Sequence, residues 1–148
     1  MKSVWIIFSF LLVLAPSGAA SEEGEQSLKV AFKIVVNLEN EITKLSRVDL
    51  ARIYLGRKTL WGSQTVVPVM LQEKNPVTQV FVEKILNRKV RQYRAYWKRR
   101  LFSGGGTMPK TFHTSTQILE FVAKTPGAIG LVDSSSGGES VRVVALTD

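Results

Sequence analysis

The chain is 148 residues long and carries a formal net charge of +8, from 20 Lys and Arg against 12 Asp and Glu. Its length suits one domain of ordinary size, and the absence of Cys means that its core folds without disulfides. With a single His and no Cys, metal centres built from those ligands lack a donor set.

The first twenty residues set the expected compartment. Lys2 gives a positive start, Val4 to Ala15 is an almost unbroken apolar run, and Pro16-Ser17-Gly18 leads into Ala19-Ala20. That run falls short of the roughly 20 apolar residues needed to span a bilayer. It reads as a secretory signal peptide, residues 1–20, cleaved after Ala20, and not as an uncleaved anchor. Without Cys, no lipidated residue can follow the cut. Removing Lys2 leaves 19 cations against 12 carboxylates, a net +7. Inside a cell such a balance would suggest nucleic acid. Beyond an export signal it suits small anions, anionic lipid or cell-wall surfaces, or an acidic envelope protein, and no nucleic acid. The mature chain has no second apolar segment able to cross a membrane, so a soluble periplasmic protein is expected.

Residues 21–27 (SEEGEQS) are polar and aperiodic, a flexible mature N-terminus ahead of one domain over 28–148. Leu28 to Asn37 is dense in β-branched and aromatic residues and predicts a strand buried on both faces. Ser46 with Asp49 three residues on signals a helix start, with Leu50, Ile53 and Tyr54 on one side and Gly56 as its stop. Thr65 to Leu71 predicts a second strand, where Pro68 points to an edge or a bulge. Asn75-Pro76 opens a well-buried helix through Val77, Val80, Phe81 and Ile85. Asn87 breaks the pattern before a helix from about Lys89 to Leu101, with Val90, Tyr93, Trp97 and Leu101 in line.

Ser103 to Pro109 is a glycine-rich loop. Thr114 and Gln117 form a capping box for a helix that Pro126-Gly127 ends, and Ala128 to Val132 and Val141 to Leu146 predict two further strands. Strands alternating with helices give an α/β three-layer sandwich with a mixed sheet.

Catalytic chemistry finds no constellation. His113 stands alone without a GxSxG serine, and no paired-carboxylate or EF-hand pattern occurs. Gly104-Gly105-Gly106 lacks the lysine and spacing of a phosphate loop and reads as a connection. Trp61 reads as packing. The chain is expected to be no enzyme and to use no cofactor or metal. Two places suit an anion. Lys84 to Arg100 holds eight cations, among which Arg91, Arg94 and Lys98 form a ridge for docking an acidic partner or surface, or simply the solvated face of an amphipathic helix. The turn Gln72, Lys74, Asn75, Val77, Thr78 leads into a helix N-terminus, whose free N–H groups and dipole favour an oxyanion.

The blocks Leu45-Ser46…Leu50, Ile53-Tyr54-Leu55-Gly56 and Trp61 resemble the phosphate-binding proteins of ABC transporters and their short single-lobe relatives. So do Tyr96-Trp97, Leu101-Phe102-Ser103-Gly104, Pro109 and Thr125-Pro126-Gly127-Ala128-Ile129-Gly130. This likeness covers about residues 32–132. It implies one lobe of a type 2 periplasmic-binding fold, no catalysis and a phosphate-like ligand. In that family an arginine and a Ser-Gly-Thr turn grip the anion. Here the turn falls on Asn75-Pro76-Val77, with Leu71 or Gln72 at the arginine's place and Lys74 as the nearby cation. Pro76 has no N–H to offer. The resemblance therefore implies weak binding, and it leaves open whether two copies pair to rebuild a two-lobed cleft.

Overall fold

The computed structural model describes residues 31–148. The predicted signal peptide, the 21–27 stretch and the start of the first predicted strand lie outside it. The elements run β1 (Phe32–Asn37), β2 (Lys44–Ser46), α1 (Arg47–Tyr54), β3 (Leu60–Trp61), β4 (Gln64–Thr65), β5 (Val67–Leu71) and α2 (Pro76–Lys84). Then follow α3 (Val90–Phe102), β6 (Lys110–Phe112), α4 (Ser115–Lys124), β7 (Ala128–Asp133) and β8 (Val141–Thr147). Six strands form one mixed sheet in the order β2-β8-β1-β7-β5-β6, and β3 and β4 make a separate hairpin. β1 runs antiparallel to both neighbours, whereas β5, β6 and β7 are mutually parallel, joined by crossovers through α2–α3 and through α4.

The helix boundaries follow local chemistry. Ser46 Oγ accepts from Asp49 N at 3.1 Å, Asn75 Oδ1 accepts from Val77 N at 2.9 Å, and Thr114 and Gln117 form a reciprocal capping box. Asn87 turns the chain between α2 and α3 at φ +51°, a left-handed position that Asn tolerates better than most residues. The predicted β1 is buried from Ile34 through Asn37, as its unbroken apolar run requires.

Pro68 is a correction. Its strand is no edge, since β5 lies between β7 and β6. β6 begins only opposite Val69, which pairs with Lys110, while Val67 N bonds Gly127 O on the β7 side. At Pro68 the side toward β6 is still open, so the missing N–H leaves no rung broken.

Helices cover both faces. On one, α4 lies so close that a Cβ at Gly130 would sit 2.6 Å from Ile118 Cγ2 and 3.0 Å from Val122 Cγ2. At its end, buried Asn37 donates Nδ2 to Val122 O and Ala123 O at 2.8 and 3.0 Å, joining Thr125 N at the first of these two carbonyls.

On the other face, α1 and α3 clasp. Three successive carbonyls at the end of α1 accept from three side chains of α3. Tyr93 Oη donates to Tyr54 O at 3.1 Å, Tyr96 Oη to Leu55 O at 2.7 Å, and Arg100 Nη2 to Gly56 O at 2.7 Å. Tyr54 in turn donates Oη to Val69 O in the sheet at 2.8 Å. Trp97, 1% exposed, fills the space beside Gly56, where a Cβ would meet Trp97 Cη2 at 2.7 Å. Gly56 also stands at φ +67°. Two constraints thus require glycine there.

Gly56→Ala should therefore lose about 1–3 kcal/mol in urea denaturation, through the crowded indole and the strained φ together. Burial pushes the phenols of Tyr54 and Tyr93 above the ordinary tyrosine pKa of 10.0, so both stay neutral donors. Raised folded-state values mean that this stability is present below pH 10 and is lost as the pH climbs above it, because the unfolded tyrosines then ionise. Thermal melts at stepwise alkaline pH should show Tm falling above that point, with a shallower fall in Tyr54→Phe.

Candidate functional site

In open α/β sheets, ligands sit beyond the carboxyl ends of the strands. Here that end gathers the β5–α2 turn, the β6–α4 turn and the stretch after β7. Gln72 is exposed, with Nε2 3.5 Å from His113 Nε2, which brings the two turns together. Lys74 is exposed beside it. The lone histidine therefore faces the predicted anion turn across the sheet end, and among the described residues no serine or carboxylate bonds its ring.

The amides at the head of α2 are mostly engaged. Pro76 has none, Val77 N donates to Asn75 Oδ1, and Gln79 N donates to Asn75 O at 3.1 Å. Thr78 N is the remaining one. Thr78 is 1% exposed, backbone included, and its hydroxyl donates inward to Leu71 O at 2.8 Å. Of the five predicted residues, Gln72 and Lys74 offer side chains to solvent, Asn75 serves as a cap, and Val77 and Thr78 are buried.

Neighbouring donors are taken as well. His113 N and Thr114 N both donate to Gln117 Oε1, Gln117 N donates to Thr114 Oγ1, and Asp133 N donates to Ser115 Oγ. The same end carries carboxylates. Ser135 donates its hydroxyl and its N–H to Asp133, holding that carboxyl below the usual range and ionised. Glu73 receives the guanidinium of Arg94 from α3, with Nε 2.9 Å from Oε2.

The three predicted docking cations therefore differ. Arg94 is ion-paired to Glu73, whereas Arg91 and Lys98 are exposed and have no ion pair among the described residues. Helical spacing revealed the ridge, but the Glu73 partner, 21 residues away, left no local signal.

The glycine-rich loop lies at the opposite, amino end of β5. Gly106 and Met108 line a cavity of ≈ 480 Å³ with Ile53, Gly56, Val66 and Pro68. Trp61 packs partly buried against the core, as its packing role predicts. Among the described residues, no three His, Asp or Glu side chains gather where a metal could be held, and no helix is long and apolar enough to cross a membrane.

At the level of sequence, no family model and no curated protein matches the chain. Solved structures do match. An ABC-type phosphate transport receptor from Vibrio cholerae is similar with a TM-score of 0.64 at 21% identity, over 79% of this chain and 46% of its own. A putative phosphate ABC transporter substrate-binding protein from Clostridium perfringens, solved with bound phosphate, gives 0.64 at 19%, over 79% and 45%. PstS from Borrelia burgdorferi gives 0.62 at 12%, over 80% and 48%. The chain spans about half the length of each of these receptors. It has the fold of phosphate-binding receptors of ABC transporters, over a stretch the size of one lobe.

Proposed function

We propose that this chain is a non-catalytic periplasmic binding module that holds a small phosphate-like oxyanion weakly at the head of α2. What carries the reading is the combination of that fold with Lys74, exposed at the start of a helix that follows a parallel strand. The helix dipole favours an anion there. Weakness follows from the same geometry. Asn75 competes with the ligand for Val77 N, the ionised Asp133 at the same sheet end repels it, and one open lobe leaves the ligand wet, whereas pockets with high affinity enclose theirs. No charge-assisted guanidinium fork stands ready, because Arg94 is engaged by Glu73.

A second reading is a protein-interaction or envelope-scaffold module that kept the fold and lost the ligand. It draws support from the internally paired donors at the carboxyl end, and it would use the α3 cations to meet an acidic partner or surface.

Calorimetric titration with inorganic phosphate separates the two. Millimolar affinity is expected, strengthened a few-fold in Asn75→Gly, which frees Val77 N at a cost of only a few tenths of a kcal/mol to the helix. Lys74→Glu should abolish it. No binding by Asn75→Gly at tens of millimolar phosphate would overturn the oxyanion reading and leave the second.

A further inference from the structure

Helix α3 carries Arg91, Arg94, Lys98, Arg99 and Arg100 and no acidic residue. Two of these serve the fold, since Arg100 caps Gly56 and Arg94 binds Glu73. Arg99 lies in the last turn, where the helix dipole welcomes a cation. Arg91 is different. It stands in the first turn, where that dipole disfavours positive charge, and it has no ion pair among the described residues. The helix dipole gives no reason for it.

Arg91, Lys98 and Phe102 are spaced by seven and four residues, so they fall on one line along the outer face, opposite buried Tyr93 and Trp97. Phe102 ends that line 93% exposed, next to Leu101 at 49%. A single exposed apolar residue is ordinary. An aromatic ring standing clear at the tip of an uncompensated cationic stripe has a specific complement: negative headgroups along the stripe and an apolar layer at its end.

We propose that the outer face of α3 docks the chain on an anionic phospholipid bilayer, with Arg91, Lys98 and Arg99 against lipid phosphates and Phe102 inserted at the headgroup–acyl boundary. This rests on the docking reading of α3 and is independent of the head of α2. An acidic protein would need an apolar pocket placed at the end of its acidic surface to receive the ring, whereas an anionic bilayer offers headgroup charge and an apolar layer together. Surface cations contribute roughly a five-fold gain in partitioning each, and a buried Phe about ten-fold. Together they give reversible, salt-sensitive attachment.

Because the chain has no Cys, Ser103→Cys allows one environment-sensitive fluorophore to be placed beside Phe102, and Glu120→Cys places one on α4 as a control. The mature protein, from Ser21 onward, is titrated with phosphatidylglycerol-rich vesicles and with neutral phosphatidylcholine vesicles. The expected result is a blue shift at position 103 with anionic vesicles and little at 120. The shift should weaken with salt, fall about 25-fold in lipid affinity in Arg91→Gln/Lys98→Gln, and fall about ten-fold in Phe102→Ser.

Equal shifts on neutral vesicles, or equal shifts at both positions, would mean adsorption through another segment and would overturn the proposal. So would binding to polyglutamate without a vesicle response, which would assign the face to an acidic protein. Phosphate titration reads neither outcome, so loss of the oxyanion reading leaves this one standing.

Discussion

The buried carbonyls at the end of α1 set the central constraint on this molecule. A helix leaves its last carbonyls without intrahelical partners, and burying them unpaired is costly. Here α1 is only eight residues long and its end is buried, so another element must supply donors. α3 does so with residues 93, 96 and 100, spaced to follow one side of the helix. Trp97 can enter the same seam only because Gly56 has no side chain. The seam then fixes Tyr54, whose hydroxyl reaches Val69 O, and so sets α1 and α3 against the sheet.

This arrangement explains what the recognisable sequence blocks report. Ile53-Tyr54-Leu55-Gly56 and Tyr96-Trp97 are the two halves of the clasp. In Thr125-Pro126-Gly127-Ala128-Ile129-Gly130, Gly127 stands at φ +79° with Thr65 O 2.3 Å from where a Cβ would be, and Gly130 lets α4 approach β7. These are packing residues. The blocks therefore carry information about the fold and little about a ligand, in line with a chain that matches phosphate receptors in shape.

Much of the fold was legible because strong local signals coincided. Four helices carried caps or stops visible in sequence, and the long strands showed dense apolar runs. β2, β3, β4 and β6 escaped, since two or three residues hold no period and form only because neighbours offer them partners. Pro68 misled for a related reason: whether a strand is an edge is decided residue by residue, by where β6 happens to begin. At the candidate site, the Asn75 cap was legible and its consequence for Val77 N follows from it. The inward turn of Thr78, the Glu73–Arg94 pair and the approach of His113 to Gln72 depend on tertiary neighbours that local spacing does not encode.

The clasp also separates stability from surface chemistry. Tyr93, Tyr96, Trp97 and Arg100 face inward to α1, which leaves the opposite side of the same helix under no packing constraint. Urea unfolding of Tyr96→Phe measures the clasp most directly. The account requires a loss of about 1 kcal/mol, the net value of one hydrogen bond to a partly buried carbonyl, with the m-value unchanged. A midpoint indistinguishable from that of the parent chain would show that α1 needs no donor from α3, and would contradict it.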